Sequence, residues 1–276
     1  MCGRNHTYDI SREGYVNLLL ANQKNAKEPG DSKFMVDSRQ DFLAKGYYDS
    51  LAEEINKVMM EFIAQAVVKA RSEGREEAEA GAGRDRNILD IGCGTGFYSG
   101  KLKESLTKKG FGERVRIYGI DISKPAVQKA SKSFQGINFC IGSSFHLPYL
   151  DESLDIIFSI FSPFDSKEVF RVLKPGGMIL LTRPGESHLK ELAELIYGRS
   201  ELQGTPLDLS ADIEVSTVKN YRLKYEIHLK DNRDIMNLVS MTPYYWHLNA
   251  ENKERLDGLR EYKVSMDFQL SISRKK

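Results

Sequence analysis

Short apolar segments alternate with segments of helical spacing from residue 87 onward, and this alternation restricts the fold more than any other feature. Residues 155–161 (DIIFSIF) are apolar on both faces, which is typical of a central parallel strand covered by helices on both sides. The predicted strands are 87–91, 115–120, 137–141, 155–161 and 178–182, and the predicted helices are 98–106, 124–133, 168–173 and 188–197. This pattern predicts an α/β fold with a doubly wound, mainly parallel sheet.

The end of the chain has a different pattern. Residues 264–272 alternate strictly between apolar and polar, which indicates a half-buried strand, and residues 221–229 are a second strand candidate. We expect the two to form an antiparallel pair at the edge of the sheet, which makes seven strands in total. Ahead of the sheet, residues 50–73 have helical spacing, with Ser50 and Glu53 as a capping box.

Composition limits the domain organisation and the partners. The chain has 276 residues, of which 41% are hydrophobic, so one large domain with a small N-terminal appendage can bury a full core. A formal net charge of +1 excludes a polybasic coat for nucleic acid, although folding can still assemble a local basic patch. Three cysteines cannot form a disulfide framework, and no segment resembles a membrane span or a secretory signal. We therefore expect a cytoplasmic protein with neither a membrane nor DNA as a partner.

A glycine-rich turn, residues 92–96 (GCGTG), follows the first strand, and Asp90 lies two residues before it. Glycines let the turn tighten and let a ligand lie against bare backbone. The dinucleotide-binding fingerprint is excluded because residue 97 is Phe, and a phosphate-binding loop is excluded because no Gly-Lys-Ser/Thr follows. Asp121 ends the next strand and can accept hydrogen bonds from both hydroxyls of a ribose. Alternatively, the glycines only form a turn and Asp121 only caps a helix.

These residues and a Leu-Lys-Pro-Gly-Gly turn at residues 173–177 form a specific set. Over residues 87–182 the chain resembles the class I S-adenosylmethionine-dependent methyltransferases. The resemblance implies S-adenosylmethionine as the cofactor, and the carboxylate of Asp90 would offset the positive charge of its sulfonium and ammonium groups. The implied cofactor-binding residues here are Asp90, Gly92, Gly94, Thr95, Gly96 and Asp121.

Segments outside this core point to one family within the methyltransferase class. They are residues 13–19 (EGYVNLL), 29–32 (PGDS), 46–48 (GYY), 161–163 (FSP), 184–189 (PGESHL) and 241–243 (MTP), together with Cys2, His6, Asp9 and Trp246. From residue 2 to about residue 272 the chain resembles the bacterial 23S rRNA guanine-N1 methyltransferases of the RlmA type. The resemblance implies methyl transfer from S-adenosylmethionine to N1 of a guanosine in a 23S rRNA hairpin loop. It also implies a homodimer that binds 23S rRNA in one cleft.

The same resemblance implies a zinc module near the N-terminus. We expect residues 1–45 to be an RNA-recognition segment that contains the second half of such a module, and residues 46–276 to be the methyltransferase domain. The family's module has a C-x-x-C pair and then C-x-x-x-H, and Cys2 and His6 match only the second pair. A structural zinc site needs four ligands, so this half-site is not expected to hold zinc unless a complete module exists upstream. Either the chain starts late or this member has lost the metal.

Two further cofactor contacts, Tyr48 and His188, follow from the resemblance and not from a local pattern. Alternatively, Tyr48 packs on the long helix and His188 caps the helix that follows it. On the substrate side, aromatic rings could stack on the guanine, which must be unpaired to reach the methyl donor. The candidate substrate contacts are Phe161, Pro163, Tyr244 and Trp246, although each of the aromatic residues is individually more typical of a core.

The reaction also requires a destination for a proton. Methylation at N1 leaves the ring cationic unless the N1 proton departs, so a base is needed, or donors that stabilise charge on the neighbouring oxygen. Asp165 is the nearest side chain after the strand at 155–161 that can accept a proton. Asp165 and Glu168 also have the spacing of a helix N-cap, which is the favoured interpretation. A catalytic role for Asp165 is therefore a hypothesis.

Two other functions stay open at this point. A small-molecule S-adenosylmethionine-dependent methyltransferase would have the same core, and the near-zero net charge fits it well. Residues 1–49 and 231–250 would then form a lid. A non-catalytic rRNA-binding protein could also retain the fold, but the complete set of Asp90, the three glycines and Asp121 argues against it.

Overall fold

The predicted alternation of strands and helices is present in the computed structural model, which describes residues 8–19, 29–72, 86–198 and 214–276. The strands are β1 (Val16–Asn17), β2 (Arg86–Ile91), β3 (Val115–Asp121), β4 (Asn138–Ile141), β5 (Leu154–Ile160), β6 (Leu173–Pro184), β7 (Val215–Leu229) and β8 (Tyr262–Lys275). The α-helices are α1 (Lys33–Ala44), α2 (Asp49–Ser72), α3 (Phe97–Lys108), α4 (Lys124–Ser133), α5 (Ser166–Val172), α6 (Lys190–Tyr197), α7 (Asn232–Ser240) and α8 (Ala250–Gly258). Short 3₁₀ helices cover Gly112–Arg114 and Pro243–His247. Among the helices of these ranges, none combines the length and apolar character needed to cross a membrane.

The strands of the described residues form one eight-stranded sheet in the order β1-β4-β3-β2-β5-β6-β8-β7. Neighbouring strands from β1 to β6 are parallel, whereas β8 is antiparallel to both β6 and β7. The predicted α/β fold with a doubly wound, mainly parallel sheet is therefore confirmed. The sheet has one strand more than the expected seven, because Val16 and Asn17 pair with Cys140 and Ile141 of β4. Two residues have no periodicity from which a strand could be predicted.

The two C-terminal strands pair with each other along most of their length, as the sequence predicts. Tyr221 lies opposite Leu270, and Ile227 lies opposite Val264. Strand β8 also pairs with β6, so β7 alone lies at this edge of the sheet. This internal position explains why the alternating apolar residues of β8, such as Val264 and Phe268, are fully buried.

Apolar residues of the central strands form two clusters, one on each face of the sheet. Ile88 and Phe158 belong to the first cluster, whereas Leu89 and Ile157 belong to the second. Successive side chains of a strand point to opposite faces, so a strand that is apolar throughout contributes to both clusters. All seven residues of β5 are buried in this way. The parallel strands thus end together at one edge, which is where sheets of this kind bind ligands.

Two local details differ from the sequence-based expectations. Helix α2 already begins at Asp49, and the N–H of Ala52 donates to the carbonyl of Tyr48 at 3.1 Å. Ser50 therefore lies inside the first turn, and the predicted capping box is wrong. Strand β6 begins at Leu173 and includes the glycine turn, where its pairing with β5 shifts register before it resumes at Met178.

The N-terminal segment is attached to the sheet by α1 as well as by β1. Ser32 caps α1 by accepting the N–H of Met35 at 3.3 Å, and α1 packs against α4 and α7. Asp37 of α1 forms an ion pair with Lys129 of α4 at 2.6 Å. The division into residues 1–45 and 46–276 stays a prediction.

Gly100 provides a test of the packing between α3 and the end of α4. A Cβ atom on Gly100 would lie 2.2 Å from Cε1 of the Phe134 ring. Alanine favours helices more than glycine does, but we expect Gly100→Ala to lower the free energy of unfolding by about 1–3 kcal/mol because the ring must move. Chemical denaturation measures this change.

Gly258 at the end of α8 is the matched control, because a Cβ atom there would meet nothing within 4 Å. We expect Gly258→Ala to change the free energy of unfolding by no more than about 0.5 kcal/mol. A Gly100→Ala variant that is as stable as the wild type would contradict the close contact between Gly100 and Phe134.

Candidate active site

The glycine turn after β2 has a backbone that only glycine adopts without strain. Gly92, Gly94 and Gly96 have φ values of +70°, +53° and +77°. A Cβ atom on Gly92 would lie 2.0 Å from Oγ of Ser162, and one on Gly96 would lie 2.9 Å from the Phe139 ring. The turn is therefore closely packed on two sides.

Gly94 lies in a more open position. A Cβ atom on Gly94 would have a single neighbour within 4 Å, which is Nη1 of Arg39 at 3.9 Å. A side chain here would fill space beside bare backbone. This is the kind of cradle in which an elongated ligand can lie against the main chain. Thr95, the other predicted contact in the turn, is buried beside it.

Asp121 joins the glycine turn to the turn after β3. Its carboxylate accepts the N–H of Gly94 and the N–H of Ser123, each at 2.8 Å. Burial raises the pKa of Asp121, while these backbone hydrogen bonds and the charge of Arg39 oppose the rise. A carboxylate has about four acceptor positions, so it can still accept hydroxyl groups of a ribose.

Asp90 is the second carboxylate of the site, and it is 2% exposed. Ser99 Oγ donates a hydrogen bond to it at 2.7 Å. Burial raises the pKa of Asp90 to about 7, against the effect of this bond, and the negative charge of Asp121 adds to the rise. A buried carboxylate and a partly buried one next to an open glycine backbone favour a ligand with positive charge. The sulfonium and ammonium groups of S-adenosylmethionine fit this requirement.

An aromatic cluster of Tyr48, Phe161, His188 and Phe268 lies where β5 and β6 end. The ring of Tyr48 is 6.4 Å from that of Phe161 and 5.5 Å from that of Phe268. The ring of His188 stacks on Phe161 at 6.1 Å and lies 4.8 Å from Phe268. The structure therefore brings together the two residues, Tyr48 and His188, that the family resemblance implies as cofactor contacts.

His188 is a neutral hydrogen-bonding group in this cluster. Its burial lowers the pKa to about 4, and Nδ1 accepts the backbone N–H of Asp267 at 3.4 Å. A neutral ring that accepts at Nδ1 carries its proton on Nε2, which leaves one N–H donor for a ligand. The alternative role as a helix cap does not apply, because α6 begins after Leu189, which makes no capping hydrogen bond through its side chain.

The loop after β5 presents the predicted substrate-side residues. Phe161 has a φ of +58°, which is unusual for a residue with a side chain, and it is 37% exposed. Pro163 is exposed, and the hydroxyl of Ser159 donates to the carbonyl of Ser162 at 3.1 Å. Asp165 caps α5 by accepting the N–H groups of Lys167 and Glu168 at 2.7 and 3.3 Å.

The remaining two substrate candidates have different environments. Tyr244 is 5% exposed and packs against Tyr197 at a ring distance of 5.7 Å, so its ring is part of the core and has no free face for a base. Trp246 is 68% exposed and lies 5.3 Å from the ring of Tyr245. Of the pair, only Trp246 has a surface that a ligand can reach in this conformation.

The predicted metal ligands, Cys2 and His6, lie outside the described residues. Within the ranges that the structure covers, no group of three or more His, Cys, Asp or Glu side chains is arranged to hold a metal ion. Cys93 and Cys140 are buried, and burial raises the pKa of the Cys140 thiol to about 12. Both thiols therefore belong to the sheet core.

Sequence reasoning missed four residues of the site. They are Arg39, Ser99, Ser162 and Phe268. Ser99 lies in the first turn of α3, directly after the glycine turn. Its hydrogen bond to Asp90 could therefore have been predicted from its position in the sequence. Ser162 lies between two predicted substrate contacts, Phe161 and Pro163, but its contact with the glycine turn has no local signal. Arg39 and Phe268 reach the site from segments distant in the chain, and no local pattern marks them.

Two family models match the chain. The model described as a methyltransferase domain matches residues 83–222, just over half of the chain. The model of the N-terminal zinc ribbon of RlmA matches residues 1–27. The chain therefore belongs to the methyltransferase-domain family, and S-adenosylmethionine is its methyl donor.

Two curated relatives match nearly the whole chain, and a third matches about half of it. A 23S rRNA (guanine(748)-N(1))-methyltransferase of Streptomyces fradiae is 29% identical over 97% of this chain and 88% of its own. YxjB of Bacillus subtilis strain 168, to which 23S rRNA guanine-N1 methylation is provisionally assigned, is 29% identical over 99% of this chain and 89% of its own. A malonyl-[acyl-carrier protein] O-methyltransferase of a Marinomonas species is 26% identical over 48% of this chain and 50% of its own. The resemblance to the RlmA type is confirmed by these matches.

The raised pKa of Asp90 predicts a pH dependence of stability. Between the pKa of an unfolded carboxyl group and pH 7, the folded protein keeps a proton that the unfolded chain has released. This contribution is present at low pH and is lost as the pH rises towards 7. Relative to Asp90→Asn, we expect the unliganded wild type to lose about 2 kcal/mol of unfolding free energy between pH 5 and pH 7.5.

Denaturation of both proteins across this pH range measures the difference. His188 contributes with the opposite sign, since its pKa is lowered to about 4, but it is present in both proteins and its effect cancels. Parallel pH profiles for the wild type and Asp90→Asn would mean that Asp90 is ionised at low pH and is not desolvated as described.

Asp121→Ala should weaken cofactor binding. If Asp121 binds the ribose as predicted, the substitution removes charged hydrogen bonds worth about 1.5–3 kcal/mol each, which corresponds to a tenfold to hundredfold rise in the dissociation constant. Titration calorimetry with S-adenosylmethionine measures the change. Asp151→Ala is the control, because that carboxylate is 75% exposed and pairs with Arg171. Unchanged affinity in Asp121→Ala would remove Asp121 from the site.

Proposed function

We propose that this chain transfers the methyl group of S-adenosylmethionine to N1 of a guanosine in a hairpin loop of 23S rRNA. The observation that carries the proposal is the extent of the similarity. The rRNA guanine-N1 methyltransferase of Streptomyces fradiae matches 97% of the chain, whereas the Marinomonas O-methyltransferase matches 48%. The segments outside the shared core are thus similar to an enzyme that acts on rRNA.

The chemistry of the substrate agrees with the form of the site. Guanine N1 carries a proton on the base-pairing edge, so the base must be unpaired and turned outward to meet the methyl donor. The exposed ring of Phe161 lies at the carboxyl edge of the sheet, beside Tyr48 and His188. A flat purine can stack on such a ring, and Trp246 offers a second exposed ring for a neighbouring base.

The bound cofactor supplies an electrophilic methyl group, and the chain's own residues orient the reactants. Asp90 and Asp121 provide the negative charge that binds its cationic and ribose parts. His188 offers the N–H at Nε2 as a donor, and its low pKa of about 4 keeps the ring neutral at pH 7. A neutral ring adds no positive charge next to a sulfonium, which would be repelled by an imidazolium.

The destination of the N1 proton is a separate part of the proposal. Oδ1 of Asp165 already accepts two backbone N–H groups at the start of α5. Its second oxygen is the remaining acceptor on that side chain. We retain Asp165 as a candidate base, with transfer of the proton to water as the alternative.

The proposed methylation of 23S rRNA also determines the expected binding partners. 23S rRNA is the macromolecular substrate, a homodimer would form one broad RNA-binding cleft, and a cytoplasmic location would give access to ribosomal RNA. We expect no interaction with DNA. A zinc ion would require ligands beyond Cys2 and His6, and the match of the RlmA zinc-ribbon model to residues 1–27 supports an N-terminal module of that kind.

The near-zero net charge fits a small-molecule methyltransferase but does not require one, because folding can assemble a local basic patch. The Marinomonas O-methyltransferase is similar to about half of the chain only. A non-catalytic rRNA-binding protein has no need of a buried and a partly buried carboxylate next to an open glycine turn.

The test uses the purified chain, S-adenosylmethionine and 23S rRNA transcribed without modifications. Mass mapping of nuclease fragments should find N1-methylguanosine in one hairpin loop, and Asp121→Ala should reduce its yield. A chain that binds S-adenosylmethionine but methylates no 23S rRNA would overturn the proposal. Methylation of metabolites in a parallel incubation would then favour the small-molecule alternative.

Asp165→Asn distinguishes the two roles of that residue. Asparagine caps helices as well as aspartate does, but it cannot accept the proton. If Asp165 is the base, we expect the single-turnover rate of rRNA methylation to fall by about 100-fold or more with unchanged thermal stability. A variant with the full wild-type rate would show that Asp165 is only a cap.

A further inference from the structure

Arg39 of α1 connects three segments that are distant in the sequence. Its side chain pairs with Asp31 in the loop before α1, and Nη2 donates to the carbonyl of Met241 at the end of α7, at 3.2 Å. Met241 is 202 positions away in the chain. The side chain of Arg39 is 24% exposed, so the guanidinium is largely enclosed.

The guanidinium also faces the cofactor cradle. Nη1 lies 3.9 Å from the position of a Cβ atom on Gly94, the open glycine of the turn. The charge of Arg39 acts on Asp121, where it lowers the pKa, and on Tyr48, where it opposes the rise caused by burial. Arg39 is thus within electrostatic range of the carboxylate that is assigned to the ribose and of a ring in the aromatic cluster.

The methyl donor also carries a carboxylate, which the acidic side chains assigned to its other parts cannot bind. Asp90 is buried and Asp121 is partly buried, and both are acidic, so they would repel this group if nothing offset their charge. A guanidinium has five N–H donors, and the bonds to Asp31 and Met241 use two of them. An enclosed arginine with further donors has the right chemistry for a carboxylate.

We propose that Arg39 binds the carboxylate of the methionine part of S-adenosylmethionine, above the backbone at Gly94. The inference rests on the cofactor of the proposed function and does not depend on the RNA substrate. Arg39 would then complete a site in which two carboxylates bind the ribose and the cationic groups, and one cation binds the anionic group.

A purely structural role is the competing explanation, since Arg39 also holds the Asp31 loop and the end of α7 together. The two roles differ in what they do to a cofactor without a carboxylate. Decarboxylated S-adenosylmethionine keeps the adenosine, the sulfonium and the ammonium, and it has one more net positive charge. In an acidic site it should bind more tightly than S-adenosylmethionine unless a cation binds the carboxylate.

Titration calorimetry of the whole chain with both compounds is the experiment. The wild type should bind S-adenosylmethionine at least as tightly as the decarboxylated form. In Arg39→Gln we expect the dissociation constant of S-adenosylmethionine to rise about tenfold to a hundredfold, and that of the decarboxylated form to change by less than about twofold. A wild type that clearly prefers the decarboxylated form, or a variant that loses affinity for both compounds equally, would overturn the proposal.

Three further variants make the result specific. Asp31→Asn removes the ion pair but keeps the guanidinium, so the preference for the carboxylate should persist. Arg233→Gln is the matched surface control, because that arginine is 76% exposed and pairs with Asp41 of α1. Arg39→Lys preserves the charge and serves if Arg39→Gln does not fold. In Arg39→Lys, the affinity for S-adenosylmethionine relative to that for the decarboxylated form should fall about threefold or more, because one ammonium cannot reproduce the planar guanidinium. An unchanged ratio of the two affinities would count against the proposal.

None of these measurements uses RNA. The carboxylate preference can therefore fail while rRNA methylation is observed, and rRNA methylation can fail while the preference is intact.

Discussion

The withdrawal of two carboxylates from bulk water, complete for Asp90 and partial for Asp121, is the constraint on which the rest of the site depends. Asp90 and Asp121 lie on β2 and β3, with the glycine turn between them in the chain. Removing such groups from water is costly, and each needs hydrogen bonds in return. Ser99 supplies one bond to Asp90, and the backbone of Gly94 and Ser123 supplies two to Asp121. These bonds fix the shape of the turn. They do not neutralise the negative charge of the two carboxylates, and this charge favours a cationic ligand. The position of Gly94, which the carboxylate of Asp121 holds, and the class of ligand thus have one electrostatic cause.

Much of the fold could be predicted from the sequence, because the central strands and helices have strong local periodicity. Strand β5 is buried on both faces and reads as one apolar run, and β8 alternates in the manner of a strand with one polar face. The failures have a different origin. Strand β1 is defined only by its pairing with β4, and the start of α2 depends on backbone bonds to residues 46–48. The insertion of β8 between β6 and β7 is likewise a matter of long-range pairing, which local patterns do not encode.

The site divides in the same manner. Asp90, the glycines and Asp121 could be identified because they are close in sequence and lie at strand ends, where the fold itself brings them together. Tyr48 and His188 have no local pattern, and only the family resemblance pointed to them. Neither the local sequence pattern nor the family resemblance identified Arg39 and Phe268 as site residues. Each belongs to an element that is distant in the chain from the glycine motif. Tyr244 is the opposite case: the aromatic run around it suggested a surface for bases, but its ring is buried against Tyr197.

The chain segments outside the core are joined to the cofactor site by the packing of α1. Phe34 of α1 is 54% exposed, and its ring lies 5.7 Å from that of Tyr245, next to the exposed Trp246. Five residues further along the same helix, Arg39 reaches Gly94 and the end of α7. One helix therefore contributes to an exposed aromatic surface at its start and to the cofactor cradle in its middle. A helix is stiff over this distance, so the two parts cannot be positioned independently. In the proposed reaction a base must meet a methyl group within a few ångströms. If the base binds at this aromatic surface, a rigid connection between the surface and the cradle would set the relative positions of the two reactants before either has bound.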